Sequence, residues 1–254
     1  MNRPSRLSRP SRPSRPSLPS QPRPRHPARG RRLYRFTCFR LYVLPWPVCA
    51  FMGWVWWRWS GSAVFAWYVM LLPVVYGYVG PGIATNLLKK WRFNGPWVVG
   101  DFFVHHGFMY AANLAPVLFI AFLGTPVPAA SLLPADGGTL AAGTIARILL
   151  STGALYGFMS WINDITLVRL GIVDVFNPPA AAGKSPAEIV THYAPLCFPV
   201  IGVCYAAGAL VAFEVFVLRR HVTANAVLVV ALAGILPLLV LPTLAYRWTE
   251  RRRD

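Results

Sequence analysis

Asp101, His105, His106 and Asn113 are the densest group of chemically able side chains in an otherwise apolar stretch of this sequence. If that stretch, residues 97–123, is one helix, then at about 100° per residue His105 lies about 40° from Asp101, Asn113 about 120° and His106 about 140°. All four share one broad face. Asp101 and His105 become an i,i+4 pair, in which a carboxylate orients an imidazole and a proton passes between substrate and protein. A second acidic group, Asn163-Asp164 followed by Arg169 and Asp174, comes later, with His192 beyond it. Asp101 is read as a catalytic acid or base, His105 as its partner and Asp164 as the second carboxylate. Each residue also has a structural reading. Asn94-Gly95-Pro96 marks a helix start, where Asp101 would simply favour the positive end of the helix dipole. The two histidines would hydrogen-bond within the bundle, and Asp164 would join an interfacial ring of charge.

Several chemistries are excluded by what surrounds these residues. Outside the N-terminal segment the other imidazoles are His192 and His221, so no His-box spacing is present; Asp101 and His105 holding one metal is the less favoured reading, no metal ligand is assigned and the cofactor is unknown. PPAAAGKS at 178–185 imitates the end of a phosphate-binding loop, but Pro178 stands where the first glycine belongs and no strand precedes it. Cys197 and Cys204 share a helix face but cannot bridge, and no CxxC occurs. GxSxG is absent as well.

The elements that must position the candidates are membrane helices. The chain has 254 residues, of which 56% are hydrophobic and 13% charged, against about 25% charged in an ordinary soluble domain. Mean hydropathy is +0.47. Six segments are long and apolar enough to cross a bilayer: roughly 41–57, 63–80, 97–123, 145–165, 196–218 and 226–246. Five of the six contain proline, which favours a bundle splayed around a cavity. The fourth instead carries Gly153-xxx-Gly157, suited to close packing at the bundle centre. Trp46, Trp54, Trp56, Trp57 and Trp59 crowd the first span as an aromatic belt. Ser185-Pro186-Ala187-Glu188 is a capping box that opens a short interfacial helix leading into the fifth span.

Charge sets the orientation. The formal charge of +17 looks like that of a nucleic-acid binder, but residues 1–40 hold twelve Arg and no acid, which leaves +5 for the rest. The Arg-Pro-Ser triplets from Arg3 to Ser17 forbid helix, so residues 1–40 read as a disordered basic tail able to contact anionic lipid. Without stacking aromatics or a folded reading element, no nucleic-acid partner is expected. With this tail inside, Lys and Arg concentrate on the cytoplasmic side, and Arg219-Arg220 is the misfit. The abundance of Arg over Lys, 22 to 3, fits a GC-rich bacterial genome and so a bacterial cell membrane.

The fold class expected is therefore an all-α integral membrane protein: a six-helix, proline-kinked bundle with both termini inside. The tail covers 1–40, the transmembrane domain 41–247 and a basic end 248–254. The leading function is an intramembrane enzyme acting on a lipid or isoprenoid-like substrate by acid/base chemistry. A small-solute or proton-coupled carrier is the alternative, and a non-catalytic subunit, assembly or immunity factor the third. Membrane lipids are the expected partners.

Overall fold

The computed structural model of the chain describes residues 28–123 and 140–251. The Arg-Pro-Ser triplets and most of the 124–143 loop lie outside these ranges, and with them most of the expected contact between tail and lipid. The helices are α1 (Ala28–Tyr42), α2 (Pro45–Ser60), α3 (Ala63–Gly82), α4 (His106–Leu123), α5 (Ala142–Arg169), α6 (Pro178–Ala181), α7 (Pro186–Thr191), α8 (Ala194–Phe213) and α9 (Ala224–Arg251). A π-helical turn extends α3 through Ile83–Leu87, and another extends α8 through Glu214–Leu218. The protein is thus a helical polytopic membrane protein. Five helices are long and apolar enough to cross a membrane, or six if α1 and α2, bent by 46° at their junction, count as one span.

Local chemistry sets the boundaries. Pro45 is the first residue of α2, where its missing N–H costs nothing, and Gly61 ends the helix at φ 66° with its N–H returned to the Trp57 carbonyl. Pro45 and Pro47 therefore start α2, at the junction where the chain bends by 46°. Ser62 caps α3 by accepting the Phe65 N–H. Ser185 and Glu188 form the expected reciprocal capping box at the start of α7. Interior prolines do occur in α3, α4, α8 and α9, and α5 has none.

The most buried long helix is α8, against which α5, α9 and α3 pack. This corrects the expectation that the fourth span, α5, occupies the bundle centre. The Gly153-xxx-Gly157 edge of α5 does allow a close approach, but toward α8: a Cβ on Gly202 would stand 2.8 Å from the Thr152 carbonyl oxygen and 2.9 Å from Gly153 Cα. At one end of the bundle Trp56, fully buried, meets Trp59, Phe65, Phe119 and Phe122 edge-on with centroids 5.1–5.6 Å apart. That tryptophan is core, while Trp46, Trp54 and Trp57 remain exposed as a belt would be.

Two expectations are corrected at the opposite end. The helix read over residues 97–123 begins only at His106. In front of it β2 (Val98–Val99) and β3 (Phe102–Phe103) form an antiparallel hairpin, with Gly100 at φ 65° in the turn. A second two-stranded pair joins β1 (Trp91–Phe93) to β4 (Val173–Val175), with Arg92 opposite Asp174 and bonded to it at 2.6 Å. Residues 28–40, assigned to the tail, are helical in α1. Past Pro27 the prolines cease, and Tyr34, Thr37, Cys38 and Leu41 fall at helical spacing on the covered face. The basic end likewise stays helical through Arg251.

Candidate functional site

A cavity of about 540 Å³ opens among α1, α3, α4, α5, α8, α9 and β1, at the end of the bundle that carries both strand pairs. Its wall is ordered along the helix axes. Arg40, Lys90, Arg247 and Glu250 stand at the strand end, Asp164 and Tyr193 next, and Tyr76, Asn113, Tyr156, Ile201 and Leu239 furthest in. From Tyr193 to Ile201, eight residues at 1.5 Å each, the cavity reaches about 12 Å into the bundle. That is somewhat less than half of a hydrocarbon core about 30 Å thick.

Asp164 lies on α5 between one and two turns from its end. The Tyr193 hydroxyl donates to its Oδ2 at 2.8 Å. Tyr193 sits where α7 passes into α8, and three contacts fix that passage. Asn177 Nδ2 donates to the Ile189 carbonyl at 2.9 Å, and Trp161 Nε1 donates to Thr191 Oγ1 at 3.1 Å. Trp91 and Tyr246 close a triangle of rings with Tyr193, centroids 5.0–5.8 Å apart. Burial, reinforced by the adjacent carboxylate, holds the Tyr193 phenol well above its usual range, so it remains a donor. Arg40, on α1, donates from Nη2 to Asn163 Oδ1 and places its positive charge near Asp164. Lys90 and Glu250, paired at 2.6 Å, tie the end of α9 to the segment before β1.

His106 is also part of the wall. It is 2% exposed, is ringed by Phe93, Tyr110 and Phe102 at 4.7–5.8 Å, and its Nδ1 has no hydrogen-bond partner. Ser160, one turn from Tyr156, hydrogen-bonds that tyrosine. Among the described residues, no three His, Cys, Asp or Glu side chains are grouped to hold a metal ion.

Of the residues that sequence spacing singled out, Asp164 lines this cavity, while Asp101, His105 and His192 do not. Asp101 occupies the hairpin turn, where its carboxylate pairs with Lys89 Nζ at 2.6 Å and its N–H bonds Asn86 Oδ1 at 3.0 Å. His105 lies just before α4, its Nε2 donating to the Leu41 carbonyl at 3.0 Å, with Phe103 stacked on it at 5.5 Å and Tyr42 at 5.0 Å. With no helix between them, Asp101 and His105 are not an i,i+4 pair. Sequence reasoning missed Arg40, which it gave to the tail, and Tyr193. The first had a signal in the covered face of α1. The second had none beyond the helix start at Ser185.

Among known proteins, the chain matches no family model, no curated protein and no solved structure.

Proposed function

We propose that the protein is an intramembrane enzyme performing acid/base chemistry on a lipid or isoprenoid-like amphiphile held in this cavity, with Asp164 as the proton-transferring group. The observation that carries the reading is a carboxylate within a membrane helix, lining an aromatic cavity and accepting the Tyr193 hydroxyl at 2.8 Å. An ionisable group at that depth is costly and typically faces a partner or a cavity that uses it. Tyr193 satisfies part of the carboxylate and Arg40 supplies opposite charge. A carboxylate has about four acceptor positions, so substrate can engage the remainder. The rings of Tyr76, Trp91, Tyr110, Tyr156, Phe198 and Tyr246 suit positive charge developing on a hydrocarbon chain.

Lipid and isoprenoid extracts from cells carrying wild type, Asp164→Asn, Tyr193→Phe, Asp101→Asn or empty vector, at matched membrane levels, test the reading. The expected result is a species altered by wild type and by Asp101→Asn but not by Asp164→Asn. Identical extracts from all five would overturn it. So would a species that responds to Asp101 and ignores Asp164.

A further inference from the structure

We infer that the cavity takes a single-chain amphiphile with one anionic headgroup, a carboxylate or phosphate, seated head-first at the strand end with its chain directed toward the bilayer midplane. The inference rests on the proposed function for its claim that the occupant is a substrate, and on the cavity alone for its claim about binding.

Charge and depth carry the argument. Every formally charged wall residue, Arg40, Lys90, Asp164, Arg247 and Glu250, lies toward the strand end, and the three cations exceed the two carboxylates by one. Lys90 is spent on Glu250, and Arg40 lies beside Asn163 and Asp164. Arg247 has no ion-pair partner among the described residues. One uncompensated guanidinium at the interfacial end of an apolar cavity is matched by one headgroup charge, and Arg is suited to carboxylate or phosphate oxygens. Further in, the wall turns to Phe198, Ile201, Leu239 and Tyr76, surfaces for a hydrocarbon chain. A volume of about 540 Å³ is that of an ordinary small-molecule site, roughly 300–1,000 Å³, and a depth of about 12 Å confines the occupant to one leaflet. An independent sign of an occupant is His106, a buried wall residue whose Nδ1 has no partner in the protein.

The test uses the full chain purified in detergent with three probes of one chain length matched to the cavity depth: decyl phosphate, decanoate and decanol, each with a photoreactive diazirine at the chain end. Both anions should bind at least tenfold tighter than the alcohol, and the tighter of the two names the headgroup. Their diazirines should label peptides holding Tyr76, Asn113, Tyr156, Ile201 or Leu239. Arg247→Gln, at an exposed position, should weaken the anions about tenfold and leave decanol unchanged. Equal binding of alcohol and anions, labelling confined to the strand end, or no effect of Arg247→Gln would each overturn the inference. Changed cellular extracts without anion preference would leave the enzyme reading standing and remove this one. Anion binding with unchanged extracts would do the reverse.

Discussion

Exchanging Asp164 for Asn keeps the side chain's shape but removes the charge that Tyr193 and Arg40 are arranged to meet. A positioned acid or base contributes about 10²–10⁴-fold to rate, so Asp164→Asn should reduce product in the extracts by at least a hundredfold. Tyr193→Phe deletes the donor and leaves the ring in the Trp91–Tyr246 triangle, so a smaller loss of product should accompany nearly unchanged protein levels. Asp101→Asn breaks an exposed ion pair worth about 0–1 kcal/mol and should leave both product and melting temperature in detergent within error. His105→Ala should act on stability. It removes a buried ring from Phe103 and Tyr42 and a hydrogen bond to Leu41, a loss of about 2 kcal/mol or more read as a lower melting temperature. The opposed signatures follow from where the residues stand. Asp101 and His105 stand four positions apart, a spacing that means adjacency only on a helix. Asp164 is an acid inside an apolar run, a signal that does not depend on the element before it.

At the scale of elements, the long apolar periods were legible and the short strands were not. Val98-Val99-Gly100-Asp101-Phe102-Phe103 is a pair of apolar dipeptides about a Gly-Asp turn, the pattern of a two-residue hairpin, but it runs directly into the apolar helix α4. Periodicity alone does not separate a short apolar strand from the first turns of a buried helix, so in the sequence the hairpin reads as part of the span. In α1 the density of Arg hid an apolar face that the prolines no longer interrupt after Pro27. The tight α5–α8 seam, in contrast, was visible in the glycine spacing, though its partner was not. Gly202→Ala would push a methyl group against backbone atoms of Thr152 and Gly153, which cannot swing aside. It should cost about 1–3 kcal/mol, measured as a drop in melting temperature in detergent. Gly143→Ala, at an α5 position where nothing among the described residues lies within 4 Å of the new methyl, should leave it level or raise it.

Over the whole molecule the two ends of the bundle differ in kind. The strand end holds the cavity mouth, the strand pairs and the ion pairs Lys89–Asp101, Lys90–Glu250 and Arg92–Asp174. The other end holds the Trp56 cluster and Arg58, Arg147, Arg219 and Arg220, of which Arg219 is bonded to Glu214 at 2.9 Å. That ion pair neutralises half of the Arg219-Arg220 dipeptide and removes much of its misfit to the charge rule. Lys89, Lys90, Arg92, Arg169, Lys184, Arg247 and Arg251 all lie at or near the strand end, together with the Arg residues of α1. Basic residues near the ends of spans are retained on the cytoplasmic side, so the strand end should face the cytoplasm and the cavity should draw its occupant from the inner leaflet. Single cysteines at Lys184 and Arg58, both exposed and at opposite ends, decide the matter in intact cells with Cys38 and Cys49 replaced by Ser. A membrane-impermeant maleimide should label Arg58→Cys at once and Lys184→Cys only after the membrane is opened. The reverse pattern would turn the cavity to the outer leaflet, and with it the source of any amphiphile that Asp164 meets.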